Sequence, residues 1–318
     1  TQTFATLDLD GTISNTAGTS SLVILGVSDL NGNVTTSSTQ TYSGAVTLST
    51  DVTLTTTDSN ITFNGTINSD GGTARALTIN LDGNSNGTTA DVIFGNATAD
   101  TLGATNPLGA ISITGDLDLN AAITSAASLS VSGTSNLGAN VTTTGNQTYN
   151  DDVIISADVT LAGGSQLLFG GTVDSSDTAE TSDARTLTTT FTETEFDGEV
   201  GGSYALGAMD INGALDLDAA ITGAASIDVS GTSNLGANVT TSGTQTYTGA
   251  VTLSAATVTL TTTNSDVTFG DTVDSDAGQT RNLTINTGGT TGTIQFGGFV
   301  GNTVGLGAMS ITGNLDLD

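Results

Sequence analysis

Several residue types on which enzymes commonly depend are missing from this chain. Its 318 residues include no cysteine, histidine, lysine or tryptophan, and only one proline. Without cysteine, neither a disulfide nor a thiolate metal site can form. Without histidine, lysine and cysteine, most of the usual catalytic bases and nucleophiles are gone. No apolar run reaches the roughly 18 residues that a membrane-spanning helix needs. The sequence therefore predicts neither catalysis nor membrane insertion.

Positive charge is almost absent as well. The chain has 3 Lys+Arg against 32 Asp+Glu, a formal charge of 3 − 32 = −29, and all three cations are arginines. Nucleic-acid binding requires many cations to displace counterions from phosphates, so we expect no DNA or RNA partner. Anionic lipid would be repelled for the same reason. Divalent cations are the natural counterions of such a surface.

What is present is a strict alternation of small aliphatic and polar residues. Segments of three to six residues carry Val, Ile, Leu or Phe at every second position with Thr, Ser or Asp between, a period that indicates half-buried β-strands. Gly, Asn, Asp and Ser separate them and favour tight turns. The period predicts an inward-facing core at Val46, Leu48, Val52, Leu54, Ile61, Phe63, Leu77 and Ile79.

Long internal repeats organise the alternating segments. Gln-Thr-Tyr begins at Gln40, Gln147 and Gln245, with spacings of 147 − 40 = 107 and 245 − 147 = 98, and the eleven residues 133–143 recur unchanged at 231–241. Repeats of this kind are typical of rods and arrays. We predict repeat units at about 7–116, 117–214 and 215–318 within one continuous domain, 1–318.

Two all-β architectures fit short strands in repeats of about 100 residues. One is a parallel β-solenoid, in which each repeat comprises several coils of about 20 residues. The other is a string of Ig-like β-sandwich domains. The shortness of the strands and the absence of a large aromatic core favour the solenoid. Phe63 and Phe94 lie in similar Gly-flanked surroundings within one repeat, as stacked coils would require.

The amino-acid sequence of the repeats resembles that of repeats in a known group of proteins. Thr-Gln-Thr-Tyr-Ser-Gly-Ala-Val-Thr-Leu at 39–48, its near copy at 244–253 and Val-Thr-Phe-Gly-Asp-Thr-Val at 267–273 resemble repeats of giant bacterial surface exoproteins. These are the filamentous-haemagglutinin-like and autotransporter-associated β-strand-repeat proteins. The resemblance covers nearly the whole chain. It implies a right-handed parallel β-helix, secretion to the cell surface, and an adhesive, matrix or filament role.

Paired carboxylates are the candidate metal ligands. Each pair lies two residues apart on a strand, so both side chains project from one face, and Ca²⁺ prefers several oxygen ligands. The alternative is a solvated acidic face without metal. The candidates are Asp116, Asp118, Asp216, Asp218, Asp316 and Asp318. Ca²⁺ is therefore the only cofactor that the sequence suggests.

The three arginines occupy one position of the repeat. Arg75, Arg185 and Arg281 each precede a strand and follow an acidic turn. The carboxylates of the three turns are Asp70, then Asp174, Asp177 and Asp183, then Asp274 and Asp276. The favoured interpretation is a clamp in which each guanidinium holds a carboxylate of its own or the adjacent coil. A contact with another subunit or with a polysaccharide is the alternative.

Three further patterns allow a functional reading beside a structural one. Asp8 and Asp10 match the nucleophile motif of haloacid-dehalogenase-type phosphatases, but Leu-Asp-Leu recurs in every repeat and no lysine is present to neutralise a phosphoryl group. Thr runs at 55–57, 142–144 and 261–263 are compatible with flat ladders of the kind that ice-binding solenoids use. The repeated Tyr42, Tyr149 and Tyr247 either stack on sugar rings or pack in the coils.

The sequence as a whole predicts a structural or adhesive rod, with a Ca²⁺-stiffened array of sandwich adhesin domains as the alternative. Leu-Asp-Leu begins at 7, 117, 215 and 315, which marks off units of 110, 98 and 100 residues. Because the first and the last fall at the same phase, we expect the rod to continue end to end, within a longer repetitive chain or by head-to-tail stacking. A polysaccharide or a cell surface is the other partner considered.

Overall fold

The computed structural model describes residues 1–83, 87, 89–97, 99–176, 184–289 and 291–317. Over these residues the fold consists of β-strands and turns, without helix. Accordingly, none of the described segments is a helix of a length and apolarity suited to crossing a lipid bilayer.

The strands are short, and most have three or four residues. The first twenty are β1 (Gln2–Phe4), β2 (Leu7–Leu9), β3 (Ile13–Asn15), β4 (Leu22–Ile24), β5 (Ser28–Leu30), β6 (Val34–Thr36), β7 (Gln40–Tyr42), β8 (Val46–Leu48), β9 (Val52–Thr55), β10 (Ile61–Phe63), β11 (Ile67–Ser69), β12 (Arg75–Asn80), β13 (Asp91–Phe94), β14 (Thr101–Leu102), β15 (Leu108–Thr114), β16 (Asp116–Leu119), β17 (Ala122–Val131), β18 (Ser135–Leu137), β19 (Val141–Thr143) and β20 (Gln147–Tyr149). The others are β21 (Val153–Ile155), β22 (Val159–Ala162), β23 (Gln166–Phe169), β24 (Val173–Ser175), β25 (Leu187–Phe196), β26 (Leu206–Leu217), β27 (Ile221–Val229), β28 (Ser233–Leu235), β29 (Val239–Thr241), β30 (Gln245–Tyr247), β31 (Val251–Leu253), β32 (Thr257–Thr261), β33 (Val267–Phe269), β34 (Val273–Ser275), β35 (Asn282–Asn286), β36 (Thr293–Phe296), β37 (Met309–Thr312) and β38 (Asn314–Leu317).

The strands stack in parallel as a β-solenoid of about 14 turns, which confirms the predicted fold class and excludes the β-sandwich alternative. The chain divides into two compact units. The first comprises residues 1–153 and 162–164, and the second comprises residues 154–161 and 165–318. The predicted single continuous domain over 1–318 stays a prediction.

In the first unit, three parallel ladders form the walls of the solenoid. One ladder runs through β1, β4, β7, β10, β13, β16 and β18. The second contains β2, β5, β8, β11 and β14, and the third contains β3, β6, β9, β12, β15 and β20. The longer β17 belongs to both of these, because its start pairs with β14 and its end with β15 and β20.

The inside of the first unit is a continuous column of apolar side chains. All eight predicted core residues are at most 2% exposed, while the alternating Thr47, Thr53 and Thr62 are partly exposed, so the predicted register is confirmed. The rings of Tyr42, Phe63 and Phe94 stack from turn to turn, with centroids 5.0 and 5.4 Å apart. Such offset stacks stabilise beyond the area that they bury.

The second unit is built in the same way. One ladder runs through β26, β28, β31 and β34. The other two share the long strand β27, whose end pairs with β30 and whose start pairs with β29. They continue through β33, β36 and β38, and through β32, β35 and β37, respectively. Tyr247, Phe269 and Phe296 repeat the aromatic stack, with centroids 5.6 and 5.0 Å apart. Phe169 and Phe196 stack at 5.0 Å.

One repeat of the sequence is not a whole number of turns. Between β7 and β20 the chain makes 20 − 7 = 13 steps from strand to strand, and one more because β17 serves two ladders, which gives 14 segments. With three ladders per turn, 14/3 is four turns and two thirds. Gln40 and Gln147 consequently occupy the same place in the repeat but different walls of the unit. In the second unit Leu215 and Leu315 differ in the same way.

Candidate functional sites

A buried Gln–Tyr pair recurs once in every repeat. Gln40 is fully buried, and its Nε2 donates to the carbonyls of Val34 and Thr55 at 3.3 and 2.9 Å. Its Oε1 accepts a hydrogen bond from the Tyr42 hydroxyl at 3.0 Å. The side chain therefore joins neighbouring turns and satisfies the tyrosine at the same time.

The other two repeats make the same bonds. Gln147 and Gln245 are also fully buried, and each donates to the equivalent carbonyls and accepts from the tyrosine two residues later. Burial raises the pKa of all three tyrosine hydroxyls above the usual range. Because Tyr42, Tyr149 and Tyr247 are 0% exposed, the sugar-stacking interpretation is wrong and the packing interpretation is confirmed.

The threonine runs also turn partly inward. Thr56, Thr143 and Thr262, the middle residues of the three runs, are at most 5% exposed. Their hydroxyls donate to the carbonyls of Ser59, Gly145 and Ser265, which lie two or three residues further along the chain. The interpretation of whole threonine runs as flat, outward-facing ladders of the ice-binding kind is therefore wrong. The central hydroxyl of each run instead stabilises a corner of the solenoid.

Two of the three arginines form the predicted clamp. The Arg75 Nη2 lies 2.9 Å from the Asp70 Oδ2, and the Arg281 Nε lies 2.6 Å from the Asp276 Oδ1, with a second bond in each pair. The hydrogen bond and charge of the arginine hold the pKa of each carboxyl below its usual range. Asp70 and Asp276 both stand five residues before their arginine, so the pairing lies within one loop.

Arg185 does not repeat this pairing among the described residues. Its Nε is shielded from solvent and makes no hydrogen bond with them, and residues 177–183, which include the predicted partners Asp177 and Asp183, lie outside the described residues. The third predicted partner, Asp174, accepts hydrogen bonds from the backbone N–H of Ser203 and Tyr204 instead.

The feature that all three arginine positions share is a serine that sequence reasoning missed. The backbone N–H of Arg75, Arg185 and Arg281 donates at 2.9 Å to the hydroxyl of Ser69, Ser175 and Ser275, respectively. Each serine is at most 3% exposed and occupies the last inward position of the preceding strand. The period-two pattern contained this signal, because each serine stands two residues after an inward Ile or Val.

Three of the predicted Ca²⁺ ligands already accept hydrogen bonds within the chain. Asp116 accepts from the backbone of Thr134 at 2.8 Å, and Asp118 accepts from Asn136 Nδ2 at 3.1 Å. Asp216 accepts from Asn234 Nδ2 at 2.8 Å. Asp316 lies on the exposed strand β38, and Asp318 lies outside the described residues. Ca²⁺ at these residues stays a prediction.

A different acidic group is the most compact one in the part of the chain that is described. One carboxylate oxygen from each of Glu195, Asp197 and Asp218 lies within 4.8 Å of the others. Only Asp218 belongs to the predicted set, because the sequence pairs carboxylates along a strand while the fold brings them together across β25 and β26. Burial, and then Asp216 and Asp197, raise the pKa of Asp218.

Three serines form a further repeated feature of the interior. Ser28, Ser135 and Ser233 are at most 3% exposed, and their hydroxyls make no hydrogen bond with described residues. Each pairs in register with the first leucine of a Leu-Asp-Leu strand, at Leu7, Leu117 and Leu215. An unsatisfied buried hydroxyl costs about 1–3 kcal/mol, so these positions weaken the coils slightly.

The surface clefts lined by described residues offer no concentrated chemistry. One is lined by Asp58, Asn60, Gly87, Thr89 and Ala90, and another mostly by Ala, Thr and Gly between 184 and 263. Neither contains the paired acid and base that hydrolysis would need. In comparisons with known proteins, no family model, no curated sequence and no solved structure matches this chain.

Proposed function

We propose that this chain is a structural rod rather than an enzyme: a segment or subunit of a secreted bacterial surface fibre or extracellular matrix filament. The observation that carries the proposal is the unbroken stacking of hydrogen-bonded turns around an apolar interior within each unit. In such a stack, a pull along the axis is borne by many backbone hydrogen bonds. The placement at a bacterial surface rests on the resemblance of the repeats alone.

The acidic outer face supports the same role. Of the alternating positions, the inward ones are aliphatic or aromatic and the outward ones are mainly Thr, Asp, Asn and Ser. A formal charge of −29 keeps such chains soluble and repels nucleic acid and anionic lipid. The two formed Arg–Asp clamps lie within single loops, which favours their structural interpretation over a polysaccharide contact.

The partner that we propose is another turn of the same kind, from a further copy stacked head to tail or from a longer repetitive chain. Leu315 and Leu317 on β38 are 48% and 67% exposed, and Met309 on β37 is 47% exposed. The matching Leu215 and Leu217 are 2% and 0% exposed, because β28 covers them. Strand edges of this type recruit further strands.

The first experiment measures length. In the proposed rod, fourteen turns spaced by about 4.8 Å would extend for about 65 Å. Small-angle scattering of the isolated chain should give a maximum dimension of at least this value, with a thin cross-section. A compact particle of equal mass would contradict the rod.

The second experiment tests the end contact. Leu317→Lys places a charge on the open edge, whereas Ile154→Lys places the same charge on a side wall, where Ile154 is 47% exposed. We expect the wild-type chain and Ile154→Lys to form end-to-end oligomers in sedimentation and electron microscopy, and Leu317→Lys to stay monomeric. If all three chains show the same oligomeric state, the proposal of end-to-end stacking is wrong. The scattering experiment would still test independently whether the chain is an elongated rod.

A further inference from the structure

The outer face of β25 and β26 carries an unusual density of acid. Five carboxylates project from the paired segments at the ends of these strands, residues 193–197 and 214–218: Glu193, Glu195, Asp197, Asp216 and Asp218. Glu195 and Asp216 are register partners across the strand pair. Neighbouring strands are about 4.8 Å apart, so like charges in register repel at short range.

The strands on either side bring no positive charge to this group. From β23, Gln166 donates to the Glu195 carboxylate at 2.5 Å, and Leu168 pairs with Glu195 in register. From β28, Asn234 donates to Asp216. These neutral amides orient the carboxylates but leave their mutual repulsion in place.

The positions and the surroundings of these carboxyl groups both favour the protonated form of some of them. One carboxylate oxygen from each of Glu195, Asp197 and Asp218 lies within 4.8 Å of the others, and a hydrogen bond between two of these carboxyls requires a proton on one of them. Burial, and then Asp197 and Asp216, raise the pKa of Glu195 above its usual range. The pKa of Asp218 is raised by burial and by Asp216 and Asp197.

We propose that these five carboxylates form a proton-operated brace that tightens the second unit when the surroundings become mildly acidic. At neutral pH the group is charged and pushes the two strands apart. As the pH falls, Glu195 and Asp218 take up protons, repulsion is lost, and carboxyl–carboxylate hydrogen bonds form across the strands.

The sign follows from linkage. A carboxyl whose pKa is higher in the folded than in the unfolded chain binds its proton first in the fold, so stability rises as the pH falls through the folded pKa. The gain is complete near the unfolded value of about 4. The window therefore runs from the raised folded pKa values down to about pH 4.

The equivalent places in the other repeats are weaker versions of this group. Ile93 stands where the second repeat has Glu195, and Gln295 stands there in the third. In the first repeat, burial and the neighbouring Asp116 raise the pKa of Asp91. The brace is thus a property of the second repeat.

The test compares thermal unfolding of three chains in metal-free buffers of constant ionic strength at pH 7.0 and pH 4.5. They are the wild type, the double variant Glu195→Gln with Asp218→Asn, and the double variant Asp210→Asn with Asp228→Asn. The last pair is the matched control, because Asp210 and Asp228 are also register partners on neighbouring strands of the second unit.

We expect acidification to raise the wild-type unfolding midpoint, in part because the total charge falls. The Glu195/Asp218 variant should unfold about 2–4 °C higher than the wild type at pH 7.0 and lose most of that advantage at pH 4.5. The control variant should show a smaller change with pH. Equal pH dependence of the two variants would overturn the proposal.

A direct titration removes any ambiguity from global stability. Carboxyl ¹³C NMR of the wild-type chain should place the Glu195 midpoint above that of glutamate in an unstructured peptide. A midpoint at or below the peptide value would also overturn the proposal.

Discussion

Two strand pairs occupy the same place in successive repeats, β13–β16 in the first unit and β25–β26 in the second. Their inward residues are nearly alike: Val92 and Phe94 in β13 correspond to Thr194 and Phe196 in β25, and all four are at most 1% exposed. Their outward residues differ, since the second pair has Glu195 where the first has Ile93.

The comparison shows where the repeat is constrained. Inside, each side chain touches the turns before and after it, so a change of volume is felt by several coils. Outside, a side chain meets water and its register partners, and the backbone ladder is unaffected by its identity. Substitution of an inward residue that the two units share should therefore have equal effects, while substitution at corresponding outward positions should not.

The largest expected effect is the loss of a stacked phenylalanine. Phe94→Ala and Phe196→Ala each remove a fully buried ring that stacks on the turn before it. We expect each to lower the free energy of unfolding by about 3–5 kcal/mol, measured by urea titration. Values for the two variants that differ by more than about 1 kcal/mol would show that the interiors are not equivalent.

Next in size is the buried glutamine. Gln40→Met and Gln245→Met keep the side-chain volume but leave the hydroxyls of Tyr42 and Tyr247 without their bond. We expect a loss of about 2–4 kcal/mol in each unit. Thr41→Ala, on an outward position of the same strand, is the control and should cost less than about 1 kcal/mol. A comparable loss in the control would argue against the Gln–Tyr bond as the cause.

The third prediction is a gain in stability rather than a loss. Ser135→Ala and Ser233→Ala remove unsatisfied buried hydroxyls and should raise the free energy of unfolding by about 1 kcal/mol. Ser275→Ala removes a hydroxyl that accepts the Arg281 backbone N–H and should lower it by about the same amount. If all three serine variants shift the unfolding midpoint in one direction, hydrogen-bond satisfaction does not distinguish these positions.

The smallest effect is expected at the clamps. Asp276→Asn removes a partly exposed ion pair, and such pairs contribute little. Because Arg281 lowers the folded pKa of Asp276, its contribution is present above the unfolded value of about 4 and is lost as the pH falls through the folded one. Wild type and variant should therefore differ slightly at pH 7 and converge once the pH is below the lowered folded pKa of Asp276, as measured by thermal unfolding. A difference in stability that persists at low pH would mean that the substitution changes the conformation of the loop rather than the ion pair.

The period-two pattern was sufficient to predict the core and the fold class, because burial in a strand depends on local alternation. It correctly assigned the eight predicted core residues, of which Val46 is the first and Ile79 the last, to the inside. It missed the Gln–Tyr pair, although Gln40 and Tyr42 share a face at that period, because glutamine is rarely buried. It also expected three equal clamps, since the position of an arginine does not reveal how its loop folds.

The number of segments per repeat could not be read from the sequence. The strands β17 and β27 each pass through a corner and serve two ladders, so the alternation does not mark the break. Elsewhere a wall consists of a single bridging residue, as at Val200 and Val300. Only the pairing partners show that Gln40 and Gln147 lie on different walls.

That count of fourteen segments has a consequence for how such a chain can change over generations. Copying or deleting one repeat moves every later coil to a neighbouring wall, whereas an exchange of three repeats at once leaves all of them in place. A coil is retained through single duplications only if it fits equally well on each wall. An interior built from the same aliphatic and aromatic residues on each wall meets that demand, and it leaves the outward residues free to diverge from one copy to the next.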